Sequence, residues 1–201
     1  MIYKSIVKIS NKIFSILKKV IWNFNLNSKL RKKLSHIKML IMDVDGVLTD
    51  GGLWIDEDGN VTKRFNVKDG LGIKILMSRK IKIAFVSGGK GGSTNQRACQ
   101  LGISDCFTEV KDKLKCVNSI KEKYNLSKNE IVFVGDDIND LVVANSVGLI
   151  ICPSDAALKI KKESNYVLEN RGGNGAIREL AELILRFQNK KDFQKEWLET
   201  N

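Results

Sequence analysis

The 201-residue sequence has a single histidine, His36, and four cysteines (Cys99, Cys106, Cys116 and Cys152) with no C-x-x-C pair among them. A lone histidine cannot build a histidine-based metal site. Scattered cysteines among apolar or helical residues read as reduced thiols of a cytosolic protein, not as zinc ligands or a disulfide framework. His36 lies in a basic stretch and is expected at the surface. No run of about eighteen uncharged apolar residues occurs, so a membrane span is not expected. Neither a secretory cleavage site, an internal repeat nor a low-complexity linker is found. What remains, 43% hydrophobic and 28% charged residues, suits one soluble α/β domain with a proper core.

Acid is missing altogether from residues 1–38, which carry nine lysines and Arg31. The net charge is +11, so the rest of the chain is left at about +1. The basicity therefore belongs to an N-terminal extension. With no zinc finger, RNA-binding aromatic signature or basic stripe in the body, nucleic acid is not expected as a partner. The extension, residues 1–36, is amphipathic. Ile2, Ile6, Ile9, Ile13, Leu17, Val20 and Phe24 recur at spacings of three or four, with Lys4, Lys8, Lys12, Lys18 and Lys19 largely between them. Two readings fit: a helix packed on the body or on another subunit, or a basic helix, residues 1–27, lying peripherally on an anionic membrane. A polar tail, 188–201, follows the body.

Residues 37–187 alternate apolar runs with helical patterns. Strands are expected at Lys38–Asp43, Lys82–Ser87, Glu130–Gly135, Gly148–Cys152 and Tyr166–Leu168. Helices are expected at Asp69–Arg79, Ser93–Leu101, Lys113–Tyr124, Asp140–Val147, Ala156–Lys162 and Ala176–Phe187. Between the first strand and the first helix, Leu53–Ile55 and Val61–Phe65 flank a turn at Asp56–Gly59 and read as a hairpin. Such alternation predicts a three-layer α/β/α, Rossmann-like parallel sheet with right-handed crossovers. Its chemistry belongs beyond the carboxyl ends of the strands.

The residues that carry chemistry fall there. Asp43 and Asp45 close the first strand and, two residues apart, can project to the same side. Like charges so close repel unless a cation holds them. Gly46 lets the chain turn sharply. After the Ile131–Val134 run comes a second acidic turn, Gly135-Asp136-Asp137-Ile-Asn-Asp140. Clustered oxygen ligands suit a hard ion such as Mg²⁺. Ser87 ends another strand, and the following Gly88, Gly89 and Lys90 can offer amides and charge to a phosphate. Lys113, at a helix start, can neutralise a nucleophile or a phosphate.

These four segments, in this order, resemble the four motifs of the haloacid dehalogenase superfamily. More narrowly, Asp43-Val-Asp-Gly-Val-Leu-Thr-Asp-Gly51, Phe65-Asn-Val-Lys-Asp-Gly70 and Gly172-Gly-Asn-Gly-Ala-Ile-Arg-Glu179 resemble the 3-deoxy-D-manno-octulosonate (KDO) 8-phosphate phosphatases. The match runs from about Ile37 to Leu185. The resemblance implies a Mg²⁺-dependent phosphomonoester hydrolase of lipopolysaccharide sugar biosynthesis. Asp43 would be the covalent nucleophile and Asp45 the acid and base. Ser87 and Lys113 would hold the phosphoryl group. Mg²⁺ would sit on Asp43, the Asp45 carbonyl and Asp136, with Asp137 and Asp140 behind it. It further implies a capless fold in which the hairpin is a small flap, and a homotetramer in which a neighbour covers the pocket. Lys68, Gly88, Lys90, Arg171, Gly172 and Gly173 are then the expected substrate contacts. Gly89 stands where relatives commonly carry an arginine, which keeps a second substrate open, a nonulosonate (sialic-acid-like) 9-phosphate. Other readings are a different chemistry on the same fold, such as a phosphomutase or protein phosphatase, and a non-catalytic scaffold.

Overall fold

The computed structural model describes residues 27–188, and residues 1–26 of the amphipathic extension and 189–201 of the polar tail lie outside the described residues. The chain divides into two compact units, residues 1–32 and 33–201. In the first, Asn27 caps the start of helix α1 (Ser28–Ser35), its Oδ1 accepting from the Leu30 amide at 2.8 Å.

The second unit is built on a six-stranded parallel sheet of order β5-β4-β1-β6-β7-β8. Its strands are β1 (Met39–Met42), β4 (Lys82–Val86), β5 (Asp105–Phe107), β6 (Ile131–Val134), β7 (Leu149–Cys152) and β8 (Tyr166–Val167). The apolar runs of β1, β6 and β7 are buried at every position, as expected of strands covered on both faces. Met39 and Ile41 face a core shared with Val117 and Ile120 of α4 (Lys113–Lys123) and Ile160 of α5 (Leu158–Glu163). Alternation turns Leu40 and Met42 to the opposite face. Helices α2 (Val67–Ser78) and α6 (Ala176–Phe187) pack against each other and supply the fully buried Ile73, Leu76, Ile177 and Leu180. Helix α3 (Gly92–Leu101) follows β4. The fold is thus the three-layer α/β/α architecture that the resemblance implies, with no cap domain among the described residues. In place of a cap it carries a hairpin of β2 (Trp54–Ile55) and β3 (Val61–Thr62).

Strand β1 lies between β4 and β6, with Met42 in register with Phe85 on one side and Val134 on the other. The chain runs from β1 outward through β4 to β5, then returns across β1 to β6. The strand order reverses there, and the crevice that opens is where open α/β sheets place their ligands.

Three of the differences from the sequence expectation have a visible cause. Strand β5 lies where no element was expected. It pairs through Ala84, Phe85 and Val86 with Asp105, Cys106 and Phe107, so its strand character comes from its neighbour. The helix expected over Asp140–Val147 is a 3-10 helix over Ile138–Val143. Asp137 and Asp140 cap its first turn reciprocally, and this shifts and tightens the start. Helix α2 begins two residues early, because Asn66 Oδ1 accepts from the Lys68 amide at 2.8 Å. The four cysteines are free thiols. No helix of the described residues is long and apolar enough to cross a membrane.

Candidate active site

The tip of β1 is fixed by its neighbour, the Asp43 amide donating to the Val134 carbonyl at 2.9 Å. The chain then folds back on itself. The buried hydroxyl of Thr49 accepts from the Gly46 and Gly51 amides at 3.3 and 3.2 Å, and the Leu48 amide returns to the Val44 carbonyl. Gly46 sits at φ +77°, and a Cβ there would lie 2.1 Å from Asp136 Oδ2. The second acidic turn can approach the first only because that side chain is missing.

Four charged groups meet in this crevice. Lys113 Nζ donates to Asp43 Oδ2 at 2.7 Å and to Asp140 Oδ1 at 2.6 Å. All three side chains are less than a tenth exposed. Asp43 Oδ1 is engaged by the Val44 amide. The other Asp140 oxygen accepts from the Asp136 amide at 3.0 Å and the Asp137 amide at 3.4 Å. Asp140 thereby ties the second turn to the lysine and has both oxygens committed. Asp136 completes the group: carboxylate oxygens of Asp43, Asp136 and Asp140 all lie within 4.8 Å of one another.

Two buried carboxylates and the partly buried Asp136 around one ammonium leave negative charge unbalanced. Burial first, then the Asp140 charge, pushes the Asp43 carboxyl from its ordinary 3.8 up to about 6, against the pull of Lys113. Burial, followed by the charges of Asp140, Asp43 and Asp137, pushes Asp136 up to about 7. Burial pulls Lys113 down, but Asp43 and Asp140 outweigh it and hold the ammonium above its ordinary 10.5. A divalent cation removes the repulsion that adds to burial in driving both carboxylates up. The donors are all oxygen, the set that hard cations take. The residues present therefore fit a divalent metal.

Asp45 and Ser87 flank the group. Asp45 Oδ2 accepts from Lys63 Nζ at 2.8 Å, while its Oδ1 is buried without a hydrogen-bond partner. Ser87 is buried at the end of β4, its amide held by the Phe107 carbonyl and its Oγ accepting from the Gly89 amide at 3.1 Å. Lys63 was not singled out in the sequence, because nothing local marks a lysine beside Arg64 on a solvated hairpin as a buried one.

The remaining expected site residues lie differently. Asp137 is exposed and its carboxylate caps the Ile138 amide. Lys68 and Lys90 are exposed, and among the described residues neither makes a hydrogen bond to the acidic group. Gly88 is exposed in the turn after Ser87. Gly172 and Gly173 are buried against the first turn. The Gly172 amide donates to Asp155 Oδ1 and the Gly173 amide to the Val47 carbonyl, and a Cβ on Gly172 would lie 1.8 Å from the Gly46 carbonyl oxygen. These two glycines buttress the turn with amides already spent. Asp69 anchors the same loop from α2, accepting from the Gly175 and Arg178 amides at 3.1 and 2.9 Å. Arg171 is exposed and paired with Asp155 at 3.1 Å. It lines a cavity of about 690 Å³ with Asp50, Trp54, Arg64 and Asn174.

Comparison with known proteins agrees with this geometry. Residues 67–148 match the haloacid dehalogenase-like hydrolase family model. The 3-deoxy-D-manno-octulosonate 8-phosphate phosphatase of Escherichia coli K12 is 36% identical over 163 residues, 81% of this chain and 87% of that protein. The crystal structure of the phosphatase of that name from Moraxella catarrhalis, in complex with magnesium, phosphate and KDO, superposes with a TM-score of 0.79 at 34% identity, over 85% of this chain and 97% of the other. The cobalt-bound Haemophilus influenzae phosphatase gives 0.79 at 36% identity, over 83% and 99%. The chain therefore belongs to the haloacid dehalogenase-like hydrolases and is a phosphatase of the family that contains these 3-deoxy-D-manno-octulosonate 8-phosphate phosphatases.

Proposed function

We propose that the protein hydrolyses 3-deoxy-D-manno-octulosonate 8-phosphate to the free sugar acid and phosphate, with Mg²⁺ as cofactor, in the cytoplasm. The observation that carries the reading is the junction of Asp43, Asp136, Asp140 and Lys113, where the ends of the adjacent strands β1 and β6 meet the start of α4. The Asp43 and Asp136 carboxylates and the Asp45 backbone carbonyl would hold the ion. When bound, Mg²⁺ supplies charge neutralisation for the transferring phosphoryl group.

The chain's own residues do the rest. Lys113 and the Ser87 hydroxyl hold the phosphoryl oxygens. Asp43 attacks phosphorus in line, forming an aspartyl-phosphate as the bond to the sugar oxygen breaks. Asp45 gives its proton to that oxygen, then takes one from the water that cleaves the acyl-phosphate. Asp140 keeps Lys113 and the second acidic turn in place.

The sugar acid is placed beside the hairpin, towards Arg171 and Arg64, whose guanidiniums line the neighbouring cavity. The exposed Leu53, Trp54, Ile55 and Val67 give the hairpin region an apolar face suited to a homotetramer in which a neighbour closes the pocket. Residues 1–27, basic and amphipathic by sequence, would give the enzyme a peripheral hold on anionic membrane. Gly89 favours a second reading, a nonulosonate 9-phosphate, because a missing guanidinium is one a lysine does not replace.

A phosphate-release screen at equal Mg²⁺ tests the reading. It compares 3-deoxy-D-manno-octulosonate 8-phosphate, nonulosonate 9-phosphates and generic sugar phosphates. The octulosonate is expected to be turned over with the highest kcat/KM. Preference for a nonulosonate favours the second reading, and preference for generic sugar phosphates removes both.

A further inference from the structure

Lys63 belongs to neither acidic turn, yet its ammonium ends on Asp45. The side chain is 2% exposed. Nζ donates to Asp45 Oδ2 at 2.8 Å and to the buried Thr94 hydroxyl at 3.3 Å. The backbone is held by the preceding residue of the same helix. Ser93 Oγ accepts from the Lys63 amide at 3.3 Å and donates to the Val61 carbonyl at 3.1 Å. The first turn of α3 thus pins Lys63 at both ends.

Burying an ammonium is costly, and it persists only where partners repay it. Asp45 Oδ1 accepts no hydrogen bond from a described residue, so among the described residues the carboxylate is oriented through Oδ2 alone. The Lys63 bond to Oδ2 holds it there. What that orientation achieves is seen at Gly89. A Cβ added to Gly89 would lie 2.8 Å from Asp45 Oδ2, 3.2 Å from Lys63 Nζ and 3.4 Å from Ser87 Oγ. Three polar atoms converge on one methyl-sized point beside the phosphate-holding loop.

We propose that Lys63 is a positioning residue. It fixes the Asp45 carboxyl facing the Ser87–Gly89 loop, so that the proton passes to the ester oxygen as the P–O bond breaks and the Asp43–phosphorus bond forms. Asp45 is left as the carboxylate and recovers a proton from the water that hydrolyses the intermediate, while Lys63 keeps its own proton throughout. The hairpin is thereby part of the machinery of its own chain, beside any role at a neighbour's. This rests on the reading of Asp45 as acid and base.

Leaving-group dependence tests it. Lys63→Met and wild type, both checked for folding by circular dichroism and saturated with Mg²⁺, are assayed on two phosphomonoesters. One is p-nitrophenyl phosphate, whose leaving group departs as an anion without needing a proton. The other is 3-deoxy-D-manno-octulosonate 8-phosphate, or whichever alkyl phosphate the wild type turns over best. On the alkyl phosphate kcat is expected to fall about 10- to 100-fold, and on the nitrophenyl ester by less than about threefold. Lys63→Arg is expected to restore part of the loss. Equal losses on both esters, or no loss on either, would overturn the proposal. If Lys63→Met does not fold, Thr94→Val, which removes only the second partner of Nζ, is read in the same way. A selective loss of about 3- to 10-fold is then expected, and an equal effect on both esters counts against the role of Lys63. A wild type inactive on every phosphomonoester would remove the phosphatase reading itself, a different failure.

Discussion

The Lys113 ammonium sits 2.7 Å from Asp43 Oδ2, and both groups are nearly sealed from solvent. Asp140 shares the same ammonium at 2.6 Å, so one cation serves two buried carboxylates. Removing one member of such a group leaves uncompensated charge, which typically costs about 3–5 kcal/mol. Lys113→Met is expected to lose stability on that scale in urea unfolding near neutral pH and to regain much of it in acid, where the carboxylates take up protons. A loss unchanged by pH would mean that packing, not charge, is what Lys113 supplies.

Asp43→Asn keeps the shape of the side chain and removes its nucleophilic charge. Mg²⁺-dependent phosphate release is expected to drop on the order of a thousandfold or more, with folding intact by circular dichroism. Turnover within a few-fold of wild type (~3-fold) would refute the covalent scheme.

The metal-free protein is expected to lose stability as pH rises. Asp43 and Asp136 have folded values of about 6 and about 7 against an ordinary 3.8. Each therefore binds its proton more tightly folded than unfolded. That contribution is fully present below 3.8 and is lost as pH climbs through the folded values. Thermal melts in EDTA are expected to fall across that window, and Mg²⁺ is expected to restore Tm most strongly at its upper end. Flat melts in EDTA would contradict the burial and repulsion that raise both carboxylates.

Gly46→Ala is expected to damage metal binding more than folding. The new Cβ would sit 2.1 Å from Asp136 Oδ2 in a left-handed backbone. The backbone strain is worth roughly 1–2 kcal/mol, but Asp136 must also move. A fall in Mg²⁺ affinity of about 10- to 100-fold is expected, read as a weaker Mg²⁺-dependent Tm shift. Unchanged affinity would take Asp136 out of the metal site.

Legibility from sequence followed how local each determinant was. Strands β1, β6 and β7 are apolar at every position because both faces are covered, and such runs announce themselves. Lys113 stood out only because a helix began there near an acidic pocket. Strand β5 could not be read, since Asp105, Cys106 and Phe107 owe their strand to β4. The start of the 3-10 helix was misplaced because Asp140 spends its carboxylate on the Asp136 and Asp137 amides as well as on Lys113. Lys63 depends on residues 18 and 31 positions away in sequence, a relation that no local pattern carries. The same holds for Gly172 and Gly173. The fold presses them against the first turn, the Gly173 amide donating to the Val47 carbonyl.

The small hairpin has an evolutionary consequence. The strand tips that carry Asp43, Ser87 and Asp136 are neighbours inside a buried sheet, where almost any change is punished. The hairpin has only two residues per strand and most of its surface in solvent, so it can drift. On the proposed placement of the sugar acid, a lineage can therefore explore new sugars by altering the hairpin without reopening the chemistry. That freedom stops at Lys63, the point where the part free to vary holds on to the part that is not.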